Sequence, residues 1–120
     1  MYIQINQSVS LLNSATPIGT CVAKIKRQGT SPMESGDSEQ WVEVQYFESF
    51  AFGDACDWDE SNQVNVQTLG SGGPYVKRTY QMDRTSAELD AGISTQSLYD
   101  DVKSEMVEDG FAEGDLIVTP

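Results

Sequence analysis

Apolar and polar residues alternate along several short segments of this 120-residue chain, and a period of two is typical of β-strands with one buried face. The longest segment runs from Trp41 to Phe52, where Val42, Val44 and Tyr46 are predicted to share one face. Shorter strands are predicted at residues 2–5, Ile18–Arg27, 64–66, Tyr75–Met82 and Leu116–Val118. The alternation therefore favours folds built around an antiparallel sheet.

One late segment departs from this pattern and has the features of a capped helix. Leu98, Val102 and Met106 recur every four residues and form an apolar stripe. Ser94 is the expected N-cap, and Gly110 is expected to end the helix in a left-handed conformation. The spacing predicts one helix from Ser94 to Asp109.

These elements together predict the fold class. A capping box at Thr85 and Glu88 adds one helical turn, which Gly92 is expected to end. Residues 28–38 and 53–62 are polar and are predicted to be loops. We therefore expect an α+β fold in a single domain over residues 1–120: a mainly antiparallel β-sheet with one C-terminal α-helix packed on it and a short final strand.

The charge of the chain excludes several classes of partner. Nineteen acidic and seven basic residues give a net charge of −12. Binding to DNA or to an anionic membrane needs a dense basic patch, so neither partner is expected. No run approaches the ~18 apolar residues of a membrane helix, and the first residues lack the features of a signal peptide.

The absence of histidine removes most catalytic chemistry. A chain without histidine has neither a Ser-His-Asp triad nor a Cys-His pair. Cys21 lies in an apolar run and is predicted to be a free, buried thiol, whereas Cys56 lies among acids that disfavour its thiolate. No carboxylate stands in an apolar context that would raise its pKa. We therefore expect a non-enzyme without a cofactor.

The densest acidic loop offers the only candidate metal ligands, Asp54, Asp57 and Asp59. Calcium prefers several oxygen ligands from one loop. An EF-hand starting at Asp57 would have Asn62 in place of the required glycine and Thr68 in place of the bidentate glutamate. A solvated acidic loop is the favoured interpretation.

The charge is distributed unevenly, and this suggests contact surfaces. Residues 83–120 hold ten acidic and two basic residues, whereas five of the seven bases lie in Lys24–Arg27 and Lys77–Arg78. The acidic helix of one copy is therefore a candidate to meet the basic strands of another in a head-to-tail ring; the alternative is that the charge serves only solubility. The predicted interface residues are Trp58, Phe50, Phe52, Lys24, Lys26, Arg27, Lys77, Arg78, Asp100, Asp101, Glu105, Glu108 and Asp109.

The overall build resembles that of small structural subunits of tailed-bacteriophage virions: head–tail connector, tail completion and head-decoration proteins. The resemblance lies in the strand starting at Met1, the late capped helix at Ser94–Asp109 and the closing strand Leu116–Val118. It implies a virion protein that forms a homo-oligomeric ring or array with copies of itself and other virion proteins. It also implies no cofactor and contacts made by loops and termini, with nucleic acid at most a neighbour that is not bound sequence-specifically.

Two other functions remain open at the level of sequence. One is an acidic inhibitor that mimics DNA by its negative charge. The other is a calcium-dependent carbohydrate-binding or adhesin module, which would use Trp58 with the three aspartates of the acidic loop.

Overall fold

In the computed structural model, which describes residues 1–7, 9–11, 17–47, 64–65 and 77–120, the strands form two antiparallel sheets. The larger sheet has the order β7-β5-β4-β1-β8 and the smaller has the order β3-β2-β6. The strands are β1 Tyr2–Ile5, β2 Val9–Leu11, β3 Pro17–Ile18, β4 Cys21–Pro32, β5 Ser38–Phe47, β6 Val64–Asn65, β7 Lys77–Arg84 and β8 Leu116–Thr119.

The helices occupy the stretch between β7 and β8. A short helix, α1, spans Ser86–Ala91, and the main helix, α2, spans Thr95–Glu108. A 3₁₀ turn at Glu113–Asp115 leads into β8. The α+β class, dominated by an antiparallel sheet with one main helix, is confirmed. α2 is not the C-terminal element that was expected, because a turn follows it and the predicted short final strand, β8, pairs beside β1.

Both helices begin and end at the predicted residues, because their signals are local. The Glu88 amide donates to Thr85 Oγ1 at 3.2 Å and the Thr85 amide donates to Glu88 Oε1 at 3.0 Å, which completes the capping box. The Ser97 amide donates to Ser94 Oγ at 3.1 Å at the start of α2. Gly110 has a φ of 114°. The Gly110 and Phe111 amides donate to carbonyls of the last turn, which ends the helix.

The core lies between the sheet and α2. Its helical members include the predicted stripe of Leu98, Val102 and Met106. Tyr99 is also buried, and its hydroxyl accepts the Ile25 amide at 3.0 Å. The β1–β4 pairing ends with Ile3 opposite Ala23, so this hydroxyl satisfies a backbone amide beyond the end of β1. The strand members are Ile3, Ile5, Cys21, Ala23, Val42, Val44, Tyr46, Tyr80, Met82 and Leu116.

The region predicted as a long polar loop at residues 28–38 is mostly β-strand. β4 continues to Pro32, β5 begins at Ser38, and only residues 33–37 form the turn between them. Backbone pairing does not require apolar side chains, and residues 30–36 are exposed. The alternation that identifies a half-buried strand is therefore absent from this outer part of the hairpin. Within the described residues, no helix is long and apolar enough to cross a membrane.

Candidate interaction surface

A groove of about 300 Å³ lies between β7 and α2 and brings together four of the predicted interface residues. β7 is the last strand on its side of the sheet, and α2 runs along the face beside it. We call this feature the β7–α2 groove. It is lined by Arg78, Thr79, Tyr80, Gln81, Glu105, Glu108 and Asp109.

An ion pair closes the floor of the β7–α2 groove. Arg78 Nη2 lies 2.8 Å from Asp109 Oδ1, and the Tyr80 hydroxyl donates to Asp109 Oδ2 at 3.1 Å. The Tyr80 hydroxyl also lies 3.2 Å from the Tyr46 hydroxyl in the core. Asp109 is the C-cap of α2, where the helix dipole disfavours an anion. The positive charge of Arg78 therefore offsets the unfavourable interaction between Asp109 and the helix dipole.

The outer wall of the groove is a row of crowded carboxylates. Burial raises the pKa of Glu105, and the neighbouring charges of Glu108 and Asp101 raise this pKa further. The expectation that no carboxylate lies in surroundings that raise its pKa is therefore wrong for Glu105, which α2 places against the sheet. Neither Glu105 nor Glu108 has an ion-pair partner in the described part of the chain. This wall therefore keeps an uncompensated negative charge.

A second connection joins β7 to α2 through Arg84, a residue that the sequence analysis did not select. Arg84 is 7% exposed, its Nη2 lies 2.6 Å from Asp101 Oδ2, and its Nε donates to Gln40 Oε1 at 2.7 Å. Gln40 Nε2 in turn donates to Gln28 Oε1 at 3.0 Å. The sequence offered one signal for this network: Arg84 ends an alternating strand, and acidic residues follow on a helix.

A β-bulge organises the basic cluster of β4. Val44 pairs with Ile25 and Glu43 pairs with Arg27, so Lys26 is the extra residue. The bulge brings two consecutive bases to one acid: Lys26 Nζ lies 3.7 Å from Glu43 Oε1 and Arg27 Nε lies 2.8 Å from Glu43 Oε2. Glu43 itself is only 7% exposed. The two bases therefore compensate a buried carboxylate within the same chain.

The remaining predicted residues are dispersed. Lys24 is half-buried in β4, Lys77 pairs with Gln45 at the start of β7, and Asp100 accepts a hydrogen bond from Gln96 on the exposed side of α2. Six candidates lie outside the described residues: Phe50, Phe52, Asp54, Asp57, Trp58 and Asp59. Within the described ranges, no group of three potential ligands is placed to hold a metal ion.

The ion pairs of the described residues mainly join α2 to β7 and β4 to β5. Arg27, Arg78, Asp101 and Asp109 each have a partner within the chain, so a contact between copies through these residues would compete with existing ion pairs. The predicted thiol, Cys21, is fully buried, and burial raises its pKa to about 12. Cys21 is therefore a core residue, and its thiol is too rarely ionised to act as a nucleophile.

Comparison of the chain with models of protein families, with curated proteins and with solved structures finds no match.

Proposed function

We propose that this chain is a non-enzymatic assembly subunit that acts through protein–protein contacts, of the kind found among the small structural proteins of tailed-bacteriophage virions. Its contacts would be with copies of itself and with other virion proteins. In this proposal the chain needs no cofactor, binds no specific nucleic-acid sequence and resides in the virion.

The observation that carries the proposal is the β4–β5 hairpin, which continues beyond the end of β1. The last β1–β4 pair is Ile3 with Ala23, yet β4 runs on to Pro32. At about 3.3 Å per residue, this extension reaches roughly 30 Å. Residues 30–36 around its tip are exposed, including the large apolar side chain of Met33. β7 pairs along β5 as far as Ser38, so this extension is three-stranded and projects only its turn, which exposes Met33. A braced projection with an exposed apolar side chain suits contact with a neighbouring subunit better than it suits catalysis.

In the described residues, the ion pairs and the thiol have structural roles, which supports the same proposal. Glu43, Asp109 and Arg84 are engaged in ion pairs that hold the fold, and Cys21 is buried in the core. The crowded carboxylates of the β7–α2 groove keep the outer side of α2 negative, which suits a protein that must remain soluble before assembly.

The test is association with virion proteins. The purified chain is measured by sedimentation and mass photometry at several concentrations and salt levels, alone and with portal, capsid and tail proteins encoded near its gene. We expect association with at least one of these proteins, and we expect Met33→Lys at the hairpin tip to weaken it without lowering the melting temperature. A strict monomer that binds none of them would overturn the proposal.

A further inference from the structure

β8 is an edge strand whose outer side has no partner among the described residues. There it pairs only with β1, in a register that sets Ile117 opposite Gln4. The side chain of Ile117 is 47% exposed, and Met33 is the only other large apolar residue found exposed in those ranges. An open strand edge is a template for pairing with another strand.

The other edges that the described strands of the large sheet leave open carry charges, a bulge or a proline, whereas β8 carries none of these. Four of the eight residues of β7 are charged. The part of β4 beyond β1 contains a bulge at Lys26 and ends at Pro32. Charges, bulges and prolines are the devices that protect natural sheet edges. β8 has the sequence Leu-Ile-Val-Thr, without a charge, a proline or an irregularity in its pairing, so only its shortness protects it.

The backbone groups that face outward from β8 can be identified from its pairing with β1. The Asn6 amide donates to the Asp115 carbonyl at 2.8 Å, so Asp115 faces β1. Because successive residues of a strand direct their backbone groups to opposite sides, Ile117 also faces β1. Leu116 and Val118 therefore direct their amides and carbonyls outward.

We propose that β8 pairs in antiparallel fashion with β8 of a second copy of this chain, about a two-fold axis at Ile117, so that the two five-stranded sheets become one. In this register Leu116 of one copy lies opposite Val118 of the other. The outward amides and carbonyls of these residues then bond reciprocally at two symmetric places. The contact is isologous and closes with two copies.

The side chains fit the same register. Leu116 is buried and Val118 packs against the core, whereas Ile117 lies on the opposite face of the strand. An axis at Ile117 sets each core-facing residue opposite another core-facing residue and sets Ile117 against its own copy. A shift of the register by one residue would place buried side chains opposite exposed ones.

Charge favours this edge as the place where two copies could meet. Each copy carries a net charge of −12, so two copies approach at lowest electrostatic cost through an uncharged surface. The four residues of β8 are uncharged. The strand is short compared with an interface of about 800 Å² per partner, so we expect a weak dimer that salt strengthens by screening the repulsion. The inference rests on the proposed function for its biological setting and deepens it by naming one self-contact.

The register is tested by disulfide cross-linking of the full chain in a Cys56→Ser background. Directly opposed residues of a pair without hydrogen bonds have Cα atoms about 4.5 Å apart, which suits a disulfide. Ile117→Cys is therefore expected to give a covalent dimer under mild oxidation. Thr119→Cys is the matched control, because two Thr119 residues would lie about 14 Å apart along the strands and should not cross-link.

The contact itself is tested by charge. Ile117→Lys sets two ammonium groups against each other and is expected to weaken dimerisation at least tenfold in sedimentation equilibrium. Thr119→Lys adds the same charge two residues away, beside Asp115 of the second copy, and is expected to retain the dimer. Circular dichroism melting of both variants verifies that each is folded.

The outcomes separate this inference from the proposed function. Failure of Ile117→Cys to cross-link, or equal cross-linking of Thr119→Cys, overturns the β8 contact, while binding to virion proteins would still support the proposed function. Conversely, a selective Ile117→Cys dimer in a chain that binds no virion protein supports the contact and contradicts the virion role.

Discussion

Gly29 and Trp41 face each other across β4 and β5, and the indole ring lies over the glycine backbone. A Cβ atom on Gly29 would lie 2.5 Å from Trp41 Cζ2 and 2.7 Å from Trp41 Cε2, which is closer than real Cβ contacts. Because Gly29 has no side chain, the indole ring of Trp41 can lie directly over the β4 backbone. Nothing in the alternation of the sequence indicates this pairing, because it depends on the register of the hairpin.

Gly29→Ala is expected to destabilise the protein by about 1–3 kcal/mol, because the indole must move and the hairpin must adjust. Chemical denaturation measures the change in the free energy of unfolding. Gly19→Ala is the matched control, since a Cβ on Gly19 meets nothing within 4 Å and is expected to be almost neutral. Equal effects of the two substitutions would contradict the contact with Trp41.

Arg84 and Arg27 are two arginines that form ion pairs in very different surroundings. The Arg84 side chain is 9% exposed and bonds Asp101 and Gln40, whereas the Arg27 side chain is 66% exposed and bonds Glu43. A guanidinium fork that serves two acceptors cannot be replaced by an ammonium group without losing a bond.

Arg84→Lys is therefore expected to cost about 1–3 kcal/mol in the free energy of unfolding, because it leaves Gln40 or Asp101 without a donor. Arg27→Lys is expected to cost less than about 1 kcal/mol, because the Arg27 side chain is largely exposed, the substitution keeps a positive charge, and Lys26 also lies beside Glu43. Thermal or urea denaturation of the two variants measures the difference. Similar losses from both would show that Arg84 does not hold the network together.

At the scale of elements, the carboxyl end of α2 combines two neighbouring acids with opposite effects. Asp109 is 10% exposed in its side chain and is bound by Arg78 and Tyr80, while Glu108 has no ion-pair partner in the described structure. Both lie where the helix dipole disfavours negative charge. The dipole cost is therefore offset at one residue and not at the other.

Glu108→Gln is expected to stabilise the protein by about 0.3–1 kcal/mol, since it removes an acid from the last turn and reduces the repulsion on Glu105. Asp109→Asn is expected to destabilise it by about 1–3 kcal/mol, because a charge-assisted bond with Arg78 is lost. Measuring the free energy of unfolding of both variants at low salt shows whether the first is stabilised and the second destabilised. A loss of stability in Glu108→Gln would show that this acid has a partner of its own.

The sequence predicted elements well where their signals are local and buried. The capping box at Thr85, the N-cap at Ser94 and the end of α2 at Gly110 all occur as expected, since each depends on a few adjacent residues. The outer half of the hairpin was missed because its side chains are mostly polar and those of residues 30–36 face water, so the alternation of a half-buried strand is absent there. The bulge at Lys26 was missed because the partner strand, not the local sequence, decides where a ladder gains a residue.

At the scale of the whole molecule, Cys21 reports on the integrity of the sheet. It lies opposite Ile5 in the β1–β4 pairing and is fully buried in the core. Burial raises its pKa from 9.0 to about 12. The unfolded chain therefore ionises this thiol at a lower pH than the folded chain does, so Cys21 contributes a loss of stability as pH rises above about 9.

In a Cys56→Ser background, the free energy of unfolding is expected to fall between pH 9 and 11 by about 1.4 kcal/mol per pH unit from this thiol. Cys21→Ala lacks the thiol and is expected to show a flatter pH dependence over the same range, although its stability at pH 7 is lower. Urea unfolding at several pH values compares the two slopes. Parallel slopes would contradict the burial of Cys21.

The candidate surface was only partly predictable from sequence. The charge asymmetry drew attention to α2 and to β7, and the structure joins these two elements through the ion pair of Arg78 with Asp109. The specific partners were not predictable, because Asp101 and Asp109 meet Arg84 and Arg78 only after α2 folds back across the sheet. Arg84 was missed for the same reason.

The sequence by itself determined that this chain forms an antiparallel sheet with one main capped helix, that it carries a net charge of −12, and that it has no histidine for catalysis. These properties follow from composition, from the two periodicities and from contacts within a few residues. Only the tertiary structure decided which charges neutralise each other and which strand edges have no partner among the described residues. Such pairings join residues far apart in the chain, so their energies depend on distances that the fold alone creates.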